Sequence, residues 1–177
     1  VDGGLKMFGV ERGLFPSIQA AWVLTNEKWF KPNKGINFLK VNAGFESVGN
    51  DGIDNSATLT YMSSAAMFNN GITSIGLTNI GNEGLRWETT NRFTAGIEGN
   101  FFNNRLNFSV DYFDKRTKDL LVSIAPIPEI GVNSTYVNAG SVLNKGVELE
   151  LSWKDNIGDF NYSISGNVSK LKNEVTS

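Results

Sequence analysis

The chain has 177 residues, and its 16 Lys+Arg nearly balance its 18 Asp+Glu, for a formal net charge of −2. This balance argues against a nucleic-acid partner, because such proteins carry a strongly basic surface. Cysteine and histidine are both absent, which removes disulfide and thiolate chemistry, the commonest metal ligand and the side chain that titrates near neutrality. We therefore expect no enzyme, and no catalytic, cofactor-binding or metal-binding residue.

The apolar residues are not gathered into a membrane-spanning helix, since no run approaches the roughly 18 apolar residues that such a helix needs. The N-terminus does not read as a signal peptide either, and we expect a mature chain or a fragment. Glycine (19) and phenylalanine (12) are plentiful, whereas proline (4) is scarce. This composition is typical of β-proteins whose strands alternate lipid-facing and water-facing residues, and also of soluble all-β domains.

Two strands are predicted in the first third of the chain, at residues 15–25 and 39–47. Ile18 and Trp22 fall on one side of the first, and Val41 and Phe45 on one side of the second. Because successive side chains of a strand point to opposite faces, this period of two indicates half-buried strands. Between them, residues 26–35 are predicted to form a helical turn and a Lys-Gly reversal.

The next two strands, at residues 92–101 and 106–112, alternate without exception. Their apolar positions are Phe93, Ala95, Ile97, Gly99 and Phe101, then Leu106, Phe108, Val110 and Tyr112. The dipeptide Asn103-Asn104 separates them, and asparagine tolerates the positive φ of a tight turn. A β-hairpin is therefore predicted here.

A second hairpin is predicted at residues 147–153 and 160–168, joined by a polar turn through Lys154–Asp159. The alternating apolar positions are Val147, Leu149, Leu151 and Trp153, then Phe160, Tyr162, Ile164, Gly166 and Val168. Asn144-Lys145-Gly146 is interpreted as a turn or bulge at the start of this unit. A register slip of one residue would bring every charge to the apolar face, so the facing of these strands is well specified.

The connections between the six strands alternate between short and long. The long ones, at about residues 48–84 and 114–143, contrast with short turns near residues 26–35, 103–105 and 154–159. Aromatic residues gather at the short turns, as in an interfacial belt. This arrangement favours an antiparallel transmembrane β-barrel over a soluble β-sandwich, which requires neither feature. Six strands leave two open edges, so further strands must complete the barrel.

These segments resemble, in order and spacing, the barrel of SusC/RagA-type TonB-dependent transporters. The matching stretches are Gly13–Ser17 with Ala21-Trp22, Leu39–Phe45 with Gly49-Asn50, Leu85–Glu88, Phe101–Leu106, Val110–Phe113, Arg116–Leu121, Asn138–Gly140 and Asn144–Leu149. The chain departs from the family pattern at Phe45–Asn50 and at Val23–Thr25. These departures bear on the subgroup of the family and on its substrate more than on membership of the family.

The resemblance implies that residues 1–177 are the C-terminal portion of a barrel of about 22 strands. The plug domain and the TonB-contacting segment would lie outside this chain. It further implies an importer of oligosaccharides or peptides in the outer membrane of a Gram-negative bacterium. The implied partners are the remaining barrel and plug, membrane lipid, the TonB complex and a SusD-like lipoprotein lid; no cofactor is implied. The alternative is a soluble or cell-surface β-domain that binds glycan or acts as an adhesin.

No substrate-binding residue is assigned from the sequence. Six charged residues are predicted to face the barrel interior: Arg86, Glu88, Arg92, Glu98, Glu148 and Glu150. They either contact substrate or, as we favour, pair across the lumen or against a plug. Trp87 and Tyr136 are candidates for stacking on sugar rings, with an upper aromatic belt as the other interpretation of Trp87. The oxygen-rich run Asp51–Asn55 lacks the ligand spacing of a calcium loop.

Overall fold

The computed structural model describes residues 13–31, 35–68, 72–125, 132 and 134–176. Ten strands lie in these ranges, with short 3-10 turns at Leu24–Asn26 and Asn55–Thr58. The strands are β1 (Ser17–Val23), β2 (Ile36–Asn50), β3 (Tyr61–Phe68), β4 (Ile72–Asn79), β5 (Glu88–Phe101), β6 (Leu106–Lys118), β7 (Leu121–Ile124), β8 (Thr135–Asn138), β9 (Val142–Ile157) and β10 (Phe160–Val175). No helix in these ranges is long and apolar enough to cross a membrane.

Six of these strands form one antiparallel sheet in the order β1-β2-β5-β6-β9-β10. They are the six strands predicted from alternation, each paired with the next of the set along the chain. This up-and-down order is the one that barrels use. Within the described residues, β1 and β10 pair on one side only. The sheet is therefore open at both edges, as a segment of a larger barrel must be.

The register of the sheet separates its residues into an apolar face and a polar face. One continuous row of paired residues contains Trp22, Val41, Ile97, Val110, Leu149 and Val168. The neighbouring row, on the other face, contains Lys40, Glu98, Ser109, Glu150 and Asn167. Each strand therefore contributes to both faces with a period of two, and the predicted facing of the strands is confirmed.

The six-stranded sheet has no water-excluding core of its own. The buried hydrophobic residues in the described part of the chain are Ala57, Leu85 and Val132, and all three lie outside this sheet. Ile164 and Val168 on the apolar face are 68% and 63% exposed. A soluble sandwich would cover such a face with a second sheet. The described residues provide none, so this face needs lipid or further protein to cover it.

Aromatic side chains gather at the end of the sheet where the connections are short. The ring centroids of Phe101 and Phe108 are 5.3 Å apart, and those of Phe102 and Trp153 are 6.3 Å apart. Trp22 and Trp29 make a third contact at this end, at 6.2 Å. Such rings have an apolar body and, in tryptophan, a polar N–H, which suits the boundary between hydrocarbon and water. The predicted clustering of aromatic residues at the short turns is confirmed by these contacts.

The turn between β5 and β6 depends on left-handed backbone conformations. Phe102, Asn103 and Asn104 have φ values of 55°, 58° and 63°. Asparagine tolerates this region better than most residues, which explains why the Asn-Asn dipeptide correctly predicted a turn.

Strand β9 is longer than the alternation predicted, and two local predictions are wrong as a result. Asn144–Gly146 is not a turn or bulge, because Lys145 pairs with Asp114 and Gly146 with Phe113 in an unbroken register. Residues 154–157 belong to β9 as well, so the predicted turn is reduced to Gly158 and Asp159. Gly158 has a φ of 61°, the conformation that glycine adopts most readily.

The two long connections are also more ordered than predicted. The connection from β2 to β5 contains the hairpin β3–β4, and the connection from β6 to β9 contains the pair β7–β8. Each hairpin is a separate two-stranded sheet and does not extend the six-stranded one. Hairpins of this size are marginally stable alone, so contacts between the connections are needed to hold them.

Candidate functional site

Cross-strand ion pairs line the polar face on β2 and β5. Lys40 Nζ lies 2.7 Å from Glu98 Oε1, and Arg92 Nε lies 2.8 Å from Glu46 Oε1. In both pairs the two residues are direct register partners, the arrangement in which opposite charges interact across a sheet. All four side chains are partly exposed, so the pairs contribute little stability. Their main consequence is a hydrophilic inner wall.

The polar face becomes acidic where β6 meets β9. Asp111 is the register partner of Glu148, and Ser109 is the partner of Glu150. Within the described residues, neither Asp111 nor Glu148 forms a salt bridge. Like charges in directly opposite positions repel each other, so this region is suited to contact with water or with cationic groups.

The sheet places the predicted inward-facing residues together, with one exception. Glu88, Arg92 and Glu98 alternate along the polar side of β5, while Glu148 and Glu150 follow on β9. Arg86 precedes β5 and belongs to the long connection instead. Five of the six residues therefore share one face of the sheet, in a position to line a lumen.

The two long connections pack against each other around a small hydrophobic core. Leu85 is 3% exposed and lies against Ala57, with Ile53, Trp87, Leu121 and Tyr136 packed around them. These residues come from both connections and from β7 and β8. We call this group the loop core. Because it joins segments far apart in the sequence, it converts two long connections into one folded unit at this end of the sheet.

Asn138 is the main polar link between the two connections. Its Oδ1 accepts a hydrogen bond from the backbone N–H of Arg86 at 2.7 Å. Its Nδ2 donates to the carbonyl oxygens of Arg86 and Asp119, both at 2.8 Å. One amide side chain thus satisfies three backbone groups in two segments that have no sheet hydrogen bonds to each other. The alternation of the sequence could not reveal it, since its partners are separated from it by as many as 52 residues.

Two further hydrogen bonds cross between the connections near β8. Asn82 Nδ2 donates to the carbonyl oxygen of Tyr136 at 3.0 Å, and Thr135 Oγ1 donates to that of Ile80 at 2.8 Å. The Leu121 N–H also points to Glu88 Oε2 at 3.5 Å, which ties β7 to the start of β5. The long-connection end is therefore a structured surface.

Trp87 and Tyr136 both lie against the loop core. The Trp87 ring packs on Phe15, with centroids 5.7 Å apart and planes tilted by 48°. Its indole Nε1 is buried and has no acceptor among the described residues. Tyr136 packs against the same group. In this structure both rings support the loop core, and the orphan N–H of Trp87 is a donor that another part of the protein could satisfy.

Replacing Asn138 with alanine is expected to loosen the long-connection end. Three hydrogen bonds are lost, each worth about 1 kcal/mol, and two carbonyls and one N–H lose their partner. Limited trypsin digestion of the full-length protein on intact cells measures how often the long connections open, because the cleavage rate of a loop follows the population of its open form. Cleavage after Arg86 or Lys118 should be at least about tenfold faster.

Ser123→Ala is the matched control for this substitution. Ser123 lies on β7 in the same connection and is exposed, and no described residue hydrogen-bonds its side chain. The Ser123→Ala variant should be cleaved after Arg86 and Lys118 at the wild-type rate. Equal rates for Asn138→Ala and Ser123→Ala would show that Asn138 does not hold the connections together.

A two-faced, up-and-down antiparallel sheet with short turns at one end and folded long connections at the other defines a segment of a membrane β-barrel. Among the described residues no group of three or more acidic residues could hold a metal ion. Comparison with known families then specifies the class. The family of TonB-dependent receptor-like β-barrels matches residues 10–176, and the chain belongs to that family.

Relatives with assigned names agree with this membership. TonB-dependent receptor P39 of Formosa agariphila is 35% identical over 176 residues, covering 97% of this chain and 17% of that protein. TonB-dependent receptor SusC of Bacteroides thetaiotaomicron is 31% identical over 174 residues, covering 93% of this chain and 17% of that protein. The chain thus spans about a sixth of the length of these relatives, and the family resemblance found in the sequence is confirmed.

Solved structures give the same result for the fold. The chain matches the RagAB peptide importer in its closed-closed state with a TM-score of 0.82 and 26% identity, covering 92% of this chain and 18% of that one. The open-open state of the same importer matches with a TM-score of 0.79. The all-β fold and its assignment as a barrel segment are therefore confirmed.

Proposed function

We propose that this chain is part of the barrel wall of an outer-membrane importer that takes up nutrients with energy delivered through TonB. The observation that carries the proposal is the two-faced sheet that lacks a core of its own. Its apolar face suits the hydrocarbon of a membrane, while its charged polar face suits a water-filled or protein-filled lumen. Membership of the receptor family gives this wall its transport role, and no enzymatic activity is part of the proposal.

The remaining parts of the transporter are proposed to lie in the rest of the full-length protein. Residues 1–177 would form the C-terminal portion of a barrel of about 22 strands, with β1 and β10 pairing to the strands on either side. A plug would fill the lumen against the Lys40–Glu98 and Arg92–Glu46 pairs. The TonB complex would contact a segment outside this chain.

The long-connection end is proposed to meet a SusD-like surface lipoprotein that acts as a lid. The loop core and the Asn138 hydrogen bonds support this, because they hold the two connections as a single folded surface. A substrate captured beneath the lid would then enter along the polar face. The proposed substrates are oligosaccharides or peptides, and both similar structures reported above are of a peptide importer.

The proposal predicts energised uptake by cells that carry the full-length protein. Cells with and without its gene are given two isotope-labelled pools, one of oligosaccharides and one of peptides, in the presence or absence of a protonophore. One pool should accumulate only in cells that carry the gene, and the protonophore should abolish this accumulation. The pool that accumulates identifies the substrate class.

Membrane attachment is measured on the same cells by washing the outer membranes with alkaline carbonate. The full-length protein should remain in the pellet, as an integral barrel does. Release of the protein by carbonate, together with glycan binding but no uptake, would overturn the proposal in favour of a surface β-domain. Retention without energised uptake of either pool would overturn the import function and leave the barrel assignment intact.

A further inference from the structure

The apolar face ends in a patch of charged side chains on three neighbouring strands. Its members are Asp114, Arg116 and Lys118 on β6, Lys145 on β9, and Lys170, Lys172 and Glu174 on β10. They continue the period-two positions of the apolar rows, and Asp114, Lys145 and Lys172 are direct register partners. We call these residues the rim patch. It faces outward from the sheet, on the same side as Val110, Leu149 and Val168.

The rim patch lies at the long-connection end and is confined to β6, β9 and β10. On β2 and β5 the same face continues with Phe45 and Phe93 and then with the uncharged Ser47 and Asn91. Long connections mark the extracellular side of a barrel. The patch would therefore lie where the outer leaflet of the membrane meets its headgroups, on one sector of the barrel wall.

The charge of the rim patch is only partly neutralised. Its five cations exceed its two carboxylates by three. Arg116 pairs with Asp114 at 2.9 Å, and Lys172 pairs with Glu174 at 2.7 Å.

The other three lysines of the rim patch are not in these two ion pairs, although Lys145 is the register partner of Asp114 and is attracted to its carboxylate. Within the described residues, Lys118, Lys145 and Lys170 form no salt bridge. The register puts Lys145 and Lys170 on neighbouring strands and two residues apart in level, a separation of about 8 Å, so their ammonium groups can reach a common anion. Lys118 lies four residues further along the sheet from Lys145, about 14 Å away, and can reach a second anionic group. Lysine binds phosphate as a point charge.

Directly below Lys170, the apolar face has a shallow hollow. Among the described residues, a Cβ built on Gly166 would meet no heavy atom within 4 Å. The hollow around it is lined on the apolar face by Leu149, Leu151, Ile164 and Val168. The six residue steps from Ile164 to Lys170 rise about 20 Å along the strand. At a barrel tilt of about 40° this is about 15 Å along the membrane normal, which is half of the roughly 30 Å hydrocarbon core.

We propose that the rim patch and the hollow together bind one phosphorylated glycolipid of the outer leaflet. The phosphate groups lie on Lys118, Lys145 and Lys170, and an acyl chain descends along the hollow at Gly166. Membrane proteins bind anionic lipid headgroups through clustered basic residues, and here the cluster continues directly into an apolar track. The inference rests on the proposed location in the outer membrane but not on the transported substrate.

The test measures the phosphorylated glycolipid that co-purifies with the full-length protein in mild detergent, by native mass spectrometry. The wild-type protein should retain about one molecule per barrel. The combined variant Lys118→Gln, Lys145→Gln and Lys170→Gln should retain at least about fivefold less. The control variant Lys28→Gln, Lys31→Gln and Lys154→Gln makes the same change in charge away from the rim patch and should retain the wild-type amount. Equal retention by both variants, or equal loss, would overturn the proposal.

A second variant tests the hollow with all lysines intact. Gly166→Leu places a side chain in the acyl track and should also reduce the retained glycolipid, whereas 20 mM inorganic phosphate added to wild type should not displace it. Unchanged retention by Gly166→Leu would show that no acyl chain lies in this track. Displacement by free phosphate would show that the lysines hold a phosphate group alone, and either result would overturn the proposal. The carbonate wash separates the two proposals: a protein that is integral to the membrane but retains no glycolipid refutes only the lipid site.

Discussion

Full-length protein carrying Leu149→Arg is expected to fail to accumulate as a folded barrel in the outer membrane. Leu149 lies in the middle of the apolar face, in register with Val110 on β6 and Val168 on β10. An arginine on the lipid face near the bilayer midplane costs about 2–4 kcal/mol. The fraction of barrel that resists unfolding in unheated SDS gels should fall sharply, and so should the amount in the outer-membrane fraction.

Ser109→Arg is the matched control on the other face of the same part of the sheet. Ser109 is the register partner of both Glu98 and Glu150, beside a polar hollow lined by Asn100, Asn107 and these carboxylates. An arginine there finds water and opposite charge, so assembly should stay near the wild-type level. If Leu149→Arg and Ser109→Arg assembled equally well, the apolar face would not be the lipid-facing surface.

The contrast between these two positions explains why the six-stranded sheet could be predicted from the sequence. A barrel wall separates two solvents, and each residue of a strand meets one of them. Val110 must therefore be apolar because it faces lipid, whereas Ser109, the adjacent residue, must be polar because it faces the lumen. The same alternation of apolar and polar residues continues along β5, β6, β9 and β10. This alternation determines both the positions of the strands and their register.

The ends of the strands were harder to predict because the chemistry of the apolar face changes there. Beyond the hydrocarbon layer, charged residues occupy the positions that carry apolar residues lower down. Lys145 and Arg116 thus break the alternation although the strands continue through them. The run Asn144-Lys145-Gly146 also has the composition of a turn, and only the pairing with β6 and β10 shows that it is a strand.

The loop core could not be derived from local pattern at all. Leu85 precedes β5, yet its neighbours come from residues 53–57 and from β7 and β8. One local signal was available and was missed: Asn70-Gly71, a typical hairpin turn dipeptide, separates the sequences of β3 and β4. The hydrogen bonds of Asn138 have no such signal, since they depend on the distant pairing of the connections.

Gly146→Val is the second substitution with a large expected effect. A Cβ at Gly146 would lie 2.6 Å from the carbonyl oxygen of Lys170 and 3.0 Å from the Phe113 ring. The carbonyl belongs to the backbone of β10, so it cannot move aside without disturbing the pairing of β9 and β10. Overpacking of this kind costs about 1–3 kcal/mol. The thermal midpoint of the full-length protein, followed by tryptophan fluorescence in detergent, should fall, and less folded barrel should accumulate.

Gly166→Val, one strand away, separates this steric requirement from the general cost of a valine for a glycine. Gly166 lies in the regular pairing of β10 with Leu151, and no heavy atom of the described residues would contact its Cβ. Valine also favours strands over glycine, so the thermal midpoint should be unchanged or higher. A fall at Gly146 alone would show that β9 and Phe113 pack as the structure has them, whereas equal effects at both glycines would contradict the close approach of β10 to Gly146. The two substitutions thus distinguish a glycine needed for packing from one that leaves an open track on the membrane surface.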